Sequence, residues 1–232
     1  ENVKIFTTLG LDIVSLANNH ILDYGEDALI DTFSTLKLAE IEYVGAGNNI
    51  TEAKETKYIE KNGMKIAFLS ASRVIPVSSW NATDKKPGLF TAYDPSKLVQ
   101  EIKDAEEKAD FSVVFLHWGL EYKEYPEDYQ RKNAQQYIDA GADLVIGCHT
   151  HCLQGMEYYK GKPIVYSMGN FLFGSNIDRT LLLSVNVEKN KDVSLKIIPC
   201  KANSYFTSII SDESEVKKFF EYYTKISYDV SF

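Results

Sequence analysis

The sequence predicts an α/β layered fold in which mixed β-sheets are flanked by helices. Three observations predict it. Up to Gly147, short apolar β-prone runs alternate with segments of helical period. Beyond that point a run of strands takes over. All four histidines fall just past the end of an expected strand.

The elements follow in order. Glu1 to Ile5 runs straight into a helix-like segment, an abrupt start from which a missing upstream part is expected. Asp12–Ala17 is short and apolar, and a polar loop leads to Gly25. From Glu26 to Glu40 the pattern is helical, with Leu29, Ile30, Phe33, Leu36 and Leu38 on or near one face. Ile41–Val44 is the next strand. Tyr58–Lys61 and Met64–Ser70 flank Asn62-Gly63, the pair that favours a tight primed hairpin turn. Residues 72–94 form a long irregular stretch, and stretches of this length are usually functional or mobile. Pro95 opens a helix to Ala109 that would bury Leu98, Ile102 and Ala105. Phe111–Leu116 is a strand, Tyr129–Ala140 a helix and Asp143–Gly147 another strand. Met156–Tyr159 and Ile164–Ser167 suggest a second hairpin. Leu181–Val187 and Val193–Ile198 are strands joined by a polar turn, and Ser214–Ile226 is a helix.

Bulk properties narrow the function classes. With 232 residues, 44% of them hydrophobic, the chain suits one ordinary domain with a full core. A net charge of -8 argues against nonspecific nucleic-acid binding, which needs a basic face. It argues equally against a bare polyanion-binding surface, unless bound metal supplies local positive charge. Cys148, Cys152 and Cys200 form no disulfide framework. No apolar run reaches the ~20 residues of a membrane span, and no signal peptide opens the chain.

The histidines carry the chemistry. His20 lies in Asn18-Asn19-His20-Ile21-Leu22-Asp23, His117 in His117-Trp118-Gly119, and His149 and His151 in Gly147-Cys148-His149-Thr150-His151. In open α/β sheets, ligands bind in the crevice at the carboxyl ends of the strands. Neutral imidazole suits zinc, manganese, iron or nickel, with amide or carboxylate oxygens completing the shell. Paired metals can clamp a phosphate and activate water. Plainer readings stand beside this one. Asn18, Asn19 and Asp23 also suit a polar turn with local caps. Glu121 and Tyr122 also suit a solvated loop. Cys148 and Cys152 suit packing thiols, with a structural zinc site as the weaker alternative.

Taken together, these residues resemble the CapA family, bacterial capsule and poly-γ-glutamate synthesis proteins of the calcineurin-like metallophosphoesterase superfamily. Leu11 to His20, with Asp23 and Gly25, looks like the family's counterpart of Gly-Asn-His-Asp/Glu. His117-Trp118-Gly119-Leu120-Glu121-Tyr122 looks like its His-Trp-Gly-x-Glu segment. Gly147 to His151 matches its Gly-x-His-x-His motif and is followed by Gln154. Tyr166-Ser167-Met168-Gly169-Asn170-Phe171 matches a further signature. The resemblance covers roughly residues 10 to 175 and implies a layered metallophosphoesterase-like fold.

It further implies Asn19, His117 and His149 as ligands of one metal and His151 of another. His20 would orient the phosphate or protonate a leaving group, and Asp23 would orient His20. Asn18, Glu121, Gln154 and Asn170 are assigned only to the pocket. The family's usual N-terminal strand, with its Gly-Asp and Asn-Leu-Glu segments, has no counterpart before Asp12. The acidic ligands are therefore expected to be missing, a second ion is doubtful, and an exposed sheet edge is left for another chain. The expected organisation is an N-terminally truncated domain over residues 1–210, with a helical extension at 211–232 packed on it.

Two functions compete. One is metal-dependent hydrolysis of a phosphoester or related anionic bond by a capsule-synthesis protein. The other is non-catalytic polymer binding or assembly in capsule synthesis or export. Either implies an anionic small molecule or polymer as partner, other capsule-synthesis proteins, and a place at the cell surface or membrane exterior.

Overall fold

Residues 3–188, 192–203 and 206–232 are described in the computed structural model, which divides into two compact units, Glu1–His117 and Trp118–Phe232. Glu1 and Asn2, from which the opening helix was expected to start, lie outside the described residues.

In the first unit, α1 (Val3–Leu9) precedes β1 (Ile13–Ser15), α2 (Gly25–Leu38) and β2 (Glu42–Val44). β1 and β2 run parallel, Ile13 opposite Glu42 and Ser15 opposite Val44, so α2 is the crossover that a parallel pair requires. Leu29, Phe33 and Leu36 repeat at helical spacing and are buried with Leu16, Leu22 and Ile41. Ile30 and Leu38, expected on or near that face, are exposed. At about 100° per residue, each is turned off the stripe by the residue or two separating it from Leu29 or Leu36.

β3 (Ala46–Gly47) and α3 (Ile50–Ala53) follow, then the hairpin of β4 (Lys57–Lys61) and β5 (Met64–Ser72). Its turn residues, Asn62 at φ 54° and Gly63 at φ 74°, take the left-handed conformations expected of Asn-Gly. The stretch expected to be irregular contains a 3₁₀ turn, Ser78–Trp80, and β6 (Gly88–Leu89), which pairs antiparallel with β3. Two-residue strands have too few positions to show a period.

α4 (Pro95–Glu106) starts where Asp94 accepts a hydrogen bond from the Ser96 N–H at 3.0 Å, and it buries Leu98, Ile102 and Ala105. β7 (Phe111–His117) then runs parallel to β5, with His117 opposite Ser72. That register delivers His117 to the carboxyl ends of both strands.

In the second unit, α5 (Asp128–Asp139) leads to β8 (Leu144–Cys148), β9 (Leu153–Tyr159) and β10 (Lys162–Met168). β10 pairs parallel with β8 and antiparallel with β9. A separate antiparallel sheet holds β11 (Ile177–Val187), β12 (Val193–Ala202) and β13 (Thr207–Ile209). The polar turn expected before Val193 falls largely on residues 189–191, outside the described residues.

α6 (Glu213–Ile226) begins at Asp212, whose carboxylate accepts from the Glu215 N–H at 3.0 Å and the Ser214 hydroxyl at 2.6 Å. Those bonds, the Ser214 hydroxyl first, hold the Asp212 carboxyl below its usual range. The helix inserts Phe219, Tyr223 and Ile226 into a cluster with Leu153, Met156, Val165, Leu181 and Ile197. Its end lies so close to β9 that a Cβ on Gly155 would stand 2.0 Å from the Ile226 carbonyl oxygen.

Candidate functional site

In the first unit, the chain leaving β1 turns sharply at Asn18. The Asn18 Oδ1 accepts from the His20 N–H at 2.8 Å, the local cap anticipated by the polar-turn reading. Asn19 is then free to reach away from the turn. Its Oδ1 lies 2.8 Å from His117 Nε2, joining positions 98 apart in sequence. His20 Nδ1–H donates to Asp23 Oδ2 at 2.8 Å, and both side chains are exposed. That bond fixes the ring's tautomer and leaves Nε2 as the face presented to solvent. The unit thus joins Asn19 with His117, and His20 with Asp23, while Asn18 builds the turn.

In the second unit, two loops carry the remaining candidates. The loop after Trp118 is tied to the turn after β8 by Tyr122 N–H donating to the Thr150 carbonyl at 2.7 Å. Gln154 is fully buried beneath it, donating to the carbonyls of Lys123 at 2.9 Å and Tyr125 at 3.3 Å and accepting from Gln130. Gln154 therefore holds the loop in place.

Three non-glycine residues on these loops take left-handed backbones: Tyr122 at φ 60°, His149 at φ 102° and His151 at φ 58°. Such conformations cost about 1–3 kcal/mol each and persist where the surroundings impose them. His149→Gly is therefore expected to be more stable than His149→Ala by about 1 kcal/mol, because glycine alone adopts φ 102° freely. Urea unfolding of the two variants measures this; equal midpoints would contradict it.

His151 is mostly covered. Its Nδ1–H donates to Asn170 Oδ1 at 2.9 Å, and its Nε2 lies 4.0 Å from Glu121 Oε1. The ring lies near two others: Phe173, tilted and 4.6 Å away centroid to centroid, and Tyr122, stacked at 5.9 Å. The His149 and His151 rings are 6.1 Å apart. A cavity of about 280 Å³ opens beside His151, lined among others by Asn170, Phe173, Arg179 and Tyr222. Arg179 rests its guanidinium 4.4 Å over the Tyr222 ring, and Tyr222 is tethered by its hydroxyl to Glu124 at 2.7 Å. Burial, then that carboxylate, raises the hydroxyl's pKa.

Burial also pushes the Cys148 thiol up to about 12 and raises that of Cys152. Among the described residues, no group of three His, Cys, Asp or Glu side chains is placed to hold a metal ion.

Sequence reasoning quoted Tyr122 as the end of a motif and weighed it as loop, and it missed Phe173 and Arg179. Phe173 sits three past Asn170, so a wider window around that motif would have found it. Nothing in the sequence singles out Arg179.

Comparison with known proteins gives a consistent picture. The family model described as "Bacterial capsule synthesis protein PGA_cap" matches residues 1–175. The chain is 36% identical over 206 residues to the capsule biosynthesis protein CapA of Bacillus anthracis, covering 86% of this chain and 50% of that protein. It is 36% identical over 203 residues to the PGA biosynthesis protein CapA of Bacillus subtilis strain 168, covering 86% and 53%. The chain thus spans about half the length of these relatives. A hypothetical protein from Thermus thermophilus shares the fold, with a TM-score of 0.54 at 18% identity over 90% of this chain and 80% of that one.

Proposed function

The chain belongs to the bacterial capsule synthesis protein family PGA_cap, and from that premise we propose that it is a metal-dependent hydrolase of a phosphoester or related anionic bond. Its layered fold of mixed sheets and helices is metallophosphoesterase-like. One observation carries the reading: Asn19 Oδ1 and His117 Nε2 converge at 2.8 Å from positions 98 apart. An amide oxygen and an imidazole nitrogen form a donor set suited to a borderline divalent ion such as manganese, iron, zinc or nickel.

In the first unit, Asn19 and His117 would hold an ion; within the second unit, His149 and His151 are the candidate donors. When bound, the ion supplies Lewis-acid polarisation of a phosphoryl oxygen. The chain's own residues do the rest. Asp23 holds the His20 ring by Nδ1–H, so that in the imidazolium form Nε2–H could orient an anion or give its proton to a leaving group, leaving neutral imidazole. Asn170 fixes the His151 ring in the same way. On this reading the protein acts at the cell surface or membrane exterior, alongside other capsule-synthesis proteins. Among the described residues no helix is long and apolar enough to cross a membrane.

The test is turnover of an aryl phosphate by protein loaded with manganese, iron, zinc or nickel. We expect His117→Ala to lower kcat/KM at least about 100-fold while the protein stays folded. No turnover with any of the four metals, or an unchanged rate in the variant, would sink the hydrolase reading. The second reading, polymer binding without turnover, is favoured by the Arg179 guanidinium facing the cavity beside His151. It would take the hydrolase's place if turnover were absent while calorimetry detected binding of oligo-γ-glutamate.

A further inference from the structure

We infer that Arg179, Lys201 and Lys218 form an anion subsite in the second unit, built for an extended ligand whose acidic groups repeat; this rests on the anionic-ligand reading above. The three cations line one cavity of about 590 Å³, together with the carboxylates of Asp178 and Glu215. Cations therefore outnumber carboxylates there, in a chain whose net charge is -8. The local lining supplies the positive charge that the overall composition lacks.

The fold gathers these charges by a bulge and a helix. Ile177 pairs with Ala202 and Thr180 with Cys200, so Asp178 and Arg179 together face Lys201 alone. That bulge sets Arg179 beside Lys201, and like charges placed across neighbouring strands repel. α6 brings the third cation. Phe219 is buried in the cluster with Leu181 and Ile197, which holds Lys218, the residue before it, at the cavity. Glu215, three residues earlier on the same helix face, accepts from Lys201 Nζ at 2.7 Å and fixes that arm in place.

The guanidinium is also placed for an anion. Arg179 is held 4.4 Å over the Tyr222 ring. An arginine stacked by its face keeps its N–H donors in the guanidinium plane, where two at a time match a carboxylate or a phosphate.

Continuity makes the ligand an extended one. Asn176, Ile177, Asp178 and Arg179 line this cavity and also the cavity beside His151. A chain lying along that shared wall meets both cavities in turn. A single acidic group fills one of them, whereas linked groups engage both and gain affinity from being joined.

Solvated surface charges that bind nothing are the competing explanation, since Arg179, Lys201 and Lys218 are all exposed. Calorimetric titration of the chain with oligo-γ-glutamate and with linear polyphosphate separates the two. Free glutamate and orthophosphate serve as single-anion controls. The variants are Lys218→Gln, Lys218→Arg and Lys217→Gln, the last an exposed lysine one residue outside the cavity lining. Lys218→Gln is expected to weaken binding of the preferred polymer at least about 5-fold, with an unchanged melting temperature. Lys218→Arg is expected to restore the affinity, and Lys217→Gln to stay within about 2-fold of wild type. Preference for oligo-γ-glutamate identifies the acidic groups as carboxylates and preference for polyphosphate as phosphates; either supports the subsite. Wild-type affinity in Lys218→Gln, an equal loss in Lys217→Gln, or free anions binding as tightly as the polymers overturns it. So does a wild type that binds neither polymer. In each of those cases turnover of the aryl phosphate still decides the hydrolase reading separately.

Discussion

Replacing Gly147 by alanine is expected to destabilise the second unit strongly, by several kcal/mol. Gly147 lies in β8, where its missing side chain makes room for a hydrogen bond between two neighbours: Trp118 Nε1–H donates to the Tyr166 carbonyl at 2.9 Å. A Cβ at Gly147 would stand 2.0 Å from that carbonyl oxygen and 2.2 Å from Nε1. It would occupy the bond itself. Neither partner can retreat, since Trp118 and Tyr166 are both buried and Tyr166 sits in β10 between two strands. Overpacking of this kind costs about 1–3 kcal/mol or more, and the broken buried bond adds about 1–3 kcal/mol. Together, at about 2–6 kcal/mol, they reach the lower end of an ordinary domain's stability, about 5–15 kcal/mol. Circular dichroism and size-exclusion chromatography of Gly147→Ala check this. A cooperative melt at the wild-type temperature would refute it.

Arg131→Met is expected to cost about 2–3 kcal/mol, discounted from a fully buried pair because the guanidinium is partly exposed. Glu157 is a buried carboxylate on β9, and it accepts from Arg131 Nη2 at 2.7 Å, Tyr166 Oη at 2.8 Å and Gln135 Nε2 at 3.2 Å. Arg131 also lies 4.0 Å over the Tyr228 ring. Removing the arginine leaves Glu157 with two neutral donors and no opposite charge. Arg131→Met combined with Glu157→Leu should recover most of the loss, since the cost is mainly that of a stranded charge. Urea unfolding midpoints of the single and double variants measure it. A single variant within about 0.5 kcal/mol of wild type would show that the charge was never effectively buried.

How much of this was legible depended on how local each signal was. Helices were legible from their buried stripes: Leu98, Ile102 and Ala105 lie on α4 as their spacing implied. The Asn62-Gly63 turn was legible because so few residues accept two consecutive left-handed backbones. The β3–β6 pair was not, because it joins residues 46–47 to 88–89 through two positions on each side.

The site divides along the same line. That His117 ends a strand could be read from the apolar run before it. That its ring meets Asn19 could not, because the contact depends on how the turn at Asn18 and the β5–β7 register combine. Gln154 read as a pocket residue from its place after the histidine motif, and its side chain is fully buried under a loop. The left-handed backbones of Tyr122, His149 and His151 have no sequence signature, since only tertiary surroundings hold such residues there.

The close seat of α6 on Gly155 has a consequence in evolutionary terms. Every other amino acid carries a Cβ, so no single codon change at position 155 is tolerated while Ile226 stays where it is. The position and the helix are therefore coupled characters. A lineage that loses or lifts the helix frees residue 155 to diversify, whereas one that keeps both is bound to glycine. In a set of homologues, side chains at this position and absence of the terminal helix should be inherited together.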